Sequence, residues 1–362
     1  MNRFIKESLA DLPPYAAGKK LPNAIKLSSN ENPLGPCPAA IKAAADSLAS
    51  VHRYPDGMCT ALREKIAARN GLSKENIIVG NGSDELMVFA SGALINTGDE
   101  GLTCENTFSE YNFSVKSFGG TCNTVPLKEG NFNLDALAKG ITEKTKIIFL
   151  CNPNNPTGRY FGEAELITFL KKVPQNVVVF LDEAYFDYVD RSEAPDYPDS
   201  PKLLKDWPNL LIARTYSKIY GLAALRVGYA MGNVELIEAL NHAKHAFNVN
   251  TPAQAAAEAA LDDEEFYEKS RQMTFAGKKY LYEELDKRGV TYYPTQSNFL
   301  CMTFQTPGAD IFKGYADRGI VIRDLKSFGL PRSIRYTVGT EENNRRFIEI
   351  LDELVKEGIC TI

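Results

Sequence analysis

The run Arg214-Thr-Tyr-Ser-Lys218-Ile-Tyr-Gly-Leu-Ala-Ala-Leu-Arg226 sets one lysine after small hydroxyl residues and an arginine eight positions further on. A lysine amine condenses with a carbonyl to form a Schiff base and so becomes a covalent catalyst. An arginine fork grips two phosphate oxygens at once, and the hydroxyls of Thr215 and Ser217 can donate to the same group. A carbonyl and a phosphate on one molecule describe pyridoxal phosphate (PLP), whose ring acts as an electron sink. A single lysine is more often a solvated surface charge. Here the apolar and hydroxyl neighbours, with Arg226 at fixed spacing, point to chemistry.

Three other segments carry groups that such a cofactor needs. Val177-Val-Val-Phe-Leu-Asp182-Glu-Ala-Tyr185 ends an apolar strand in a carboxylate. Asp182 could cap a helix or bind a metal, but no His/Asp cluster accompanies it. Against a pyridine nitrogen, its charge would keep that nitrogen protonated, and Tyr185 could reach the ring's 3′ oxygen. Cys151-Asn-Pro-Asn-Asn-Pro-Thr-Gly158 follows the strand-like Ile147–Leu150. Open α/β sheets bind ligands at such strand ends; Asn155 could donate its amide to a phenolate-like oxygen, and the alternative is a bare turn. Ile77-Ile-Val-Gly-Asn-Gly-Ser-Asp-Glu85 reads as strand, glycine turn and helix start, with Ser83 or Asp84 suited to the N-cap. Its exposed N–H groups would cup a phosphate, or it is an ordinary βα turn. Arg323 and Arg335, each set among Ile and Val, could present forks to a carboxylate or phosphate.

Other chemistries find less support. Among three histidines, His242 and His245 sit i, i+3 on a predicted helix without a third ligand, so no metal site is expected. No Gly-x-Ser-x-Gly element, P-loop or Gly-x-Gly-x-x-Gly fingerprint occurs.

These residues need a scaffold that gathers strand ends. Short β-rich runs (77–79, 101–104, 121–126, 147–151, 177–181, 210–214 and 227–231) alternate with helix-like segments. That pattern predicts an α/β domain: a mostly parallel seven-stranded sheet flanked by helices. Helices are expected over 41–49, 60–69, 236–245, 252–261 and 264–288. Strands over 290–293, 299–304, 320–323 and 334–338, with helices over 309–317 and 341–356, predict a smaller α+β domain. The expected division is an N-terminal arm (1–29) belonging with the small domain and the subunit contact, a large domain (30–255) and a small domain (256–362).

The 362 residues carry a net charge of −5, which speaks against nucleic acid or an anionic membrane as main partner. Seven scattered cysteines without C-x-x-C spacing predict free thiols in a reducing compartment. The N-terminus, with Arg3, Lys6 and Glu7, does not read as a secretory leader, and no apolar run is long enough to span a bilayer. The expected location is the cytoplasm.

The ordered set Asn155, Asp182, Tyr185, Lys218 and Arg226 resembles fold-type I PLP enzymes, the class I/II aminotransferases, over nearly the whole chain. Within that superfamily the chain is most similar to the histidinol-phosphate aminotransferases. The similarity is carried by Leu27-Ser-Ser-Asn30-Glu-Asn-Pro-Leu-Gly-Pro36, Arg53-Tyr-Pro-Asp56, Asn81-Gly-Ser-Asp-Glu85, Arg214–Leu222 and Phe247-Asn-Val-Asn250. The resemblance implies transfer of an amino group between glutamate and imidazole-acetol phosphate in histidine biosynthesis. It also implies a homodimer with active sites at the subunit interface. It assigns Gly82, Ser83, Asp84, Thr215, Ser217 and Arg226 to the cofactor phosphate, and Tyr54 to the partner's phosphate. Phe108 would stack on the ring. Tyr15 and Arg323 would meet the substrate's phosphate, Arg335 the α-carboxylate of glutamate or 2-oxoglutarate, and Asn30, Tyr54 and Asn155 would also contact substrate. Departures from the family pattern are Asn106 for proline, Ala224 for glycine and Ala246 for proline. An aromatic aminotransferase, a threonine-phosphate decarboxylase and a non-catalytic ligand sensor on the same fold are the alternative readings.

Overall fold

The computed structural model describes residues 4–12 and 24–362. In chain order its elements are β1 (Ile25–Lys26), α1 (Pro38–Ser47), α2 (Thr60–Asn70), β2 (Ile77–Gly80), α3 (Ser83–Leu94), β3 (Glu100–Cys104), α4 (Glu110–Ser117), β4 (Thr121–Val125), α5 (Leu134–Lys139), β5 (Thr145–Cys151), α6 (Glu163–Leu170), β6 (Val178–Asp182), α7 (Ser200–Leu203), β7 (Leu210–Thr215) and β8 (Gly228–Gly232). There follow α8 (Val234–Asn241), α9 (Thr251–Ala260), α10 (Glu264–Lys287), β9 (Thr291–Tyr293), β10 (Phe299–Thr303), α11 (Gly308–Asp317), β11 (Ile320–Val321), β12 (Arg323–Asp324), β13 (Ser333–Thr337) and α12 (Glu341–Lys356).

The large sheet has seven strands in the order β2-β8-β7-β6-β5-β3-β4. All its neighbour pairs are parallel except those made by β8. Its central strands are buried on both faces, which is why they read as unbroken apolar runs rather than alternating ones. The exception at β8 has a local cause. The segment 216–227 forms a compact loop with one 3₁₀ turn instead of a helical crossover, so the chain returns antiparallel. Thr215 at the end of β7 therefore faces Gly228 at the start of β8, and the loop carrying Lys218 and Arg226 stays at the sheet's carboxyl edge. Asp182 is paired there with Cys151 and Ala213, and Gly80 pairs with Gly228.

A second core gathers on the antiparallel sheet β12-β13-β10-β9. Phe347 of α12 stacks on Tyr336 and Tyr315 with ring centroids 3.9 and 4.8 Å apart. Leu27 belongs to this core, and β1 pairs in parallel with β11. Helix α10 links the two cores, with Phe266 in the large one and Leu281 and Leu285 in the small one.

Three local expectations fail. The strand predicted over 320–323 is two: Ile320–Val321 pairs with β1 and Arg323–Asp324 with β13, because the chain changes sheets at buried Ile322. Strand β1, two exposed residues long, carries no alternation a sequence pattern could reveal. Helix α8 stops at Asn241, so His242 and His245 lie beyond it.

Candidate active site

The carboxyl edge of the large sheet forms one end of the site. Helix α3 starts at Ser83, and its N-cap is Gly82, with no side-chain cap. The expected Ser83 or Asp84 cap is thus displaced by a residue or two. Gly82 has φ +88°, a left-handed conformation that glycine takes without steric cost. A side chain there would also run into the Arg226 guanidinium. The helix therefore presents its first backbone N–H groups, which lack intrahelical partners, beside a cation. Arg226 Nη2 lies 3.1 Å from Asp84 Oδ2, and its Nη1 donates to the Ala223 carbonyl at 3.3 Å. Thr215 and Ser217 are buried in the adjoining loop, where Thr215 Oγ1 accepts the Ser217 N–H at 3.1 Å. Together these groups make an anion cup.

Asp182 lies at the middle of the site, only 3% exposed. The Tyr111 hydroxyl donates to Oδ2 at 2.7 Å, and the Ala184 N–H to Oδ1 at 3.1 Å. Burial pushes the carboxyl up to about 6, against the pull of these two donors, so it is still mostly ionised at neutral pH. Tyr111 is itself stacked on Phe149 at 4.9 Å and meets the edge of Phe108 at 5.8 Å. Lys218 donates to the Ser29 carbonyl at 3.2 Å, and its Nζ is 5.6 Å from the Tyr185 ring centroid. Burial first, then the charge of Arg335, lowers its amine to about 8. The amine stays mostly protonated at neutrality but gives up its proton far more readily than an ordinary lysine, as a proton-accepting lysine needs. The Tyr185 hydroxyl accepts from Asn30 Nδ2 at 2.9 Å, and burial holds its pKa above the ordinary phenol value.

The other end belongs to the small core. Arg335 and Arg323 are direct partners across β13 and β12. Arg335 is buried; its Nη2 donates to the Ser28 carbonyl at 2.7 Å and its Nη1 to the Asn155 carboxamide oxygen. That contact leaves the Asn155 NH₂ free to point elsewhere. No carboxylate pairs with Arg335 among the described residues, and its Nε has no partner. Burial lowers its pKa to about 10. Asn30, at φ +57°, is fixed by Thr337 and Asn298.

Asn30, Asn155, Tyr185 and Arg335 are thus joined through hydrogen bonds or close packing, and Lys218 and Asp182 stand beside them. Tyr54 is different: it is 83% exposed and stacks on Phe247 at 4.7 Å on the surface. Tyr15 lies outside the described residues. Sequence reasoning missed Tyr111, whose link to Asp182 spans 71 positions and leaves no local signal. It also missed the buried Glu183–Arg214 pair (2.9 Å) just behind the strand ends. Among the described residues no group of three or more His, Cys, Asp or Glu could hold a metal.

The family model for aminotransferase class I and II matches residues 22–351. The chain belongs to the class I and II aminotransferases. Among relatives of this aminotransferase, the histidinol-phosphate aminotransferase of Moorella thermoacetica is 42% identical over 360 residues, covering 97% of this chain and 92% of the relative. That of Geobacillus thermodenitrificans is 42% identical over 366 residues, covering 99% and 100%. The solved histidinol-phosphate aminotransferase of Sinorhizobium meliloti, in complex with pyridoxal-5'-phosphate, superposes with a TM-score of 0.85 at 25% identity, covering 92% of this chain and 91% of that one. As class I and II aminotransferases use PLP, the fit of this aminotransferase's own residues to that cofactor can be judged. The cradle at Gly82 that a Cβ would fill, the buried carboxylate of Asp182 and the lowered amine of Lys218 all suit it. Among the described residues no helix is long and apolar enough to cross a membrane.

Proposed function

We propose that this aminotransferase interconverts L-histidinol phosphate plus 2-oxoglutarate with imidazole-acetol phosphate plus L-glutamate, using PLP, in histidine biosynthesis. The observation that carries the reading is Arg335, a buried guanidinium without a carboxylate partner among the described residues, set beside Lys218 and directly across the strand register from Arg323. A buried cation in that position is costly unless an anionic ligand completes it. Arg335 would take the α-carboxylate of glutamate or 2-oxoglutarate, and Arg323 the phosphate end of L-histidinol phosphate.

Bound PLP would supply an electron sink for charge developing at the substrate's Cα. The phosphate would be held by the N–H groups of Ser83 and Asp84 at the Gly82 turn, by the Thr215 and Ser217 hydroxyls, and by Arg226. Asp182 would face the pyridine nitrogen and keep it protonated; Tyr111 and Ala184 fix the carboxylate for that task. Asn155 and Tyr185 would donate toward the ring oxygen, and Phe108 would cover the ring face. Lys218 Nζ would anchor the cofactor and, once released, carry a proton away from Cα; its lowered pKa suits both duties.

The reading includes a cytoplasmic homodimer in which exposed Tyr54 reaches the partner's cofactor phosphate and Tyr15 and Asn30 contribute to substrate binding. It divides the chain into an arm (1–29), a large domain (30–255) and a small domain (256–362). The test is the visible spectrum of the PLP-loaded protein during addition of L-histidinol phosphate. Bleaching of the visible band, with imidazole-acetol phosphate formed in equal amount, is expected. A spectrum that answers to L-phenylalanine alone, or carbon dioxide released from threonine phosphate, would replace this substrate assignment by an aromatic aminotransferase or a decarboxylase.

A further inference from the structure

Asn106, in the connection between β3 and α4, ties the two cores together beside the arginine pair. Its φ is +51°, in the left-handed region that asparagine tolerates. Proline, with φ fixed near −65°, could not take this conformation. The side-chain Nδ2 donates to the Phe328 carbonyl at 2.6 Å, in the turn between β12 and β13. The Asn106 carbonyl in turn accepts from Asn154 Nδ2 at 3.3 Å, and Asn154 Oδ1 accepts the Thr107 hydroxyl at 2.8 Å. Asn106 is therefore fixed at its backbone to the loop that bears Asn155, and at its side chain to the small sheet. The next residue in the turn, Gly329, has φ +77°, and a Cβ there would lie 2.7 Å from Asn106 Nδ2. The approach requires glycine.

The pinned turn has a task. The Phe328 ring centroid lies 6.0 Å from Arg323 Cζ and 5.9 Å from Arg335 Cζ, and Arg323 Nη2 donates to Ser327 Oγ at 3.4 Å. Two guanidinium groups facing each other across a strand pair repel, and like charges so placed destabilise a sheet. An aromatic face near both offsets part of that repulsion through its negative quadrupole, provided that the ring stays in place.

We propose that Asn106 is a positioning residue for recognition of the substrate's anionic groups. Its carboxamide pins the turn 326–329 so that Phe328 holds Arg323 and Arg335 together as a paired anion site. The inference rests on the aminotransferase reading and deepens it. As a positioning residue Asn106 would act through the turn and not on the reacting atoms, so its loss should appear in KM and not in kcat.

Two variants separate backbone from side chain. Asn106→Gly keeps access to positive φ and removes the carboxamide. Asn106→Asp keeps the shape but sets an acceptor against the Phe328 carbonyl. Steady-state kinetics of the PLP-loaded proteins should show KM for L-histidinol phosphate raised about tenfold in both, the weight of one half-buried hydrogen bond. The expected kcat stays within about twofold on the same argument, and PLP retention is unchanged. Unaltered KM in both variants, or losses confined to kcat or to PLP retention, overturn the proposal. If the parent enzyme does not turn over L-histidinol phosphate, the functional reading fails by itself. Asn106 is then judged by calorimetric titration of inorganic phosphate into the same three PLP-loaded proteins. Binding by the parent that both variants lose supports the role; equal binding, or none to any of them, removes it.

Discussion

The two ends of the site are assembled from different distances. At the anion cup, Gly82, Ser83, Asp84, Thr215, Ser217 and Arg226 all come from connections at the carboxyl edge of one sheet, where Gly80, Gly228 and Thr215 are in register. At the arginine end, Arg335 and Arg323 stand on a second sheet and meet Ser28 and Asn155 only because the two cores are docked. The cup is preformed by strand pairing, whereas the arginine pocket exists only in the docked arrangement. Changes to docking should therefore disturb substrate recognition while leaving cofactor retention intact.

The largest effect is expected at the residue that both ends serve. Lys218→Ala should lower kcat by about 10⁴-fold or more, measured by glutamate formation, and substantial turnover by this variant would falsify the role given to Lys218. Asp182→Ala should slow Cα proton removal by about 10²–10³-fold, read as exchange of the Cα hydrogen into deuterated water; an unchanged exchange rate would remove the electron-sink argument.

Next comes the pair that addresses the comparison directly. Arg335→Leu should raise KM for L-glutamate by about 100-fold, the loss of a charge-assisted double hydrogen bond, with PLP retention unchanged. Arg226→Leu should do the reverse, weakening PLP retention by a similar factor while affecting KM far less. Dialysis followed by absorbance measures the one and initial rates the other. If both variants lose both properties, the two ends are not separable as described.

Smaller effects probe how the middle is held. Tyr111→Phe removes a hydroxyl that lowers the Asp182 pKa. In the PLP-free protein the Asp182 carboxyl should then titrate above its present value of about 6, as followed by carbon-13 NMR; an equal or lower value would mean that Tyr111 does not stabilise the charge.

The start of α10, packed on the large core, supplies the last case. Asp187 accepts from Tyr267 of α10 at 3.0 Å, and burial pushes its pKa up from 3.8 to about 7. Because the folded value is the higher one, between about pH 4 and 7 the native protein keeps a proton there that the unfolded chain has released. Stability from this group is thus lost as pH rises through that window, by up to ~1.4 kcal/mol per pH unit. Asp187→Asn should flatten that slope in urea denaturation, and an unchanged slope would assign the pH dependence to other groups.

Legibility in the sequence follows the same division as the site. Asp182 and Lys218 could be found because each ends or closely follows an apolar run that reads as a buried strand, and Arg226 because it stands eight positions after Lys218. Arg323 and Arg335 could be suspected from their apolar neighbours, but their pairing could not. The strand predicted over 320–323 breaks at Ile322, and only that break sends Arg323 to β13. Tyr111 was invisible for a related reason: it stands on α4, its partner ends β6, and nothing in residues 107–111 marks it.

By itself the sequence determined the α/β alternation, the positions of the strand ends and the identity of the groups gathered there, since hydrophobic periodicity and side-chain chemistry are local properties. Only the tertiary structure decided which of those groups share a proton, which cation has no counter-ion among the described residues, and that Asn106 reaches across to Phe328. Burial and electrostatic coupling depend on what packs against a residue, and in this protein the deciding neighbours lie tens to hundreds of positions away.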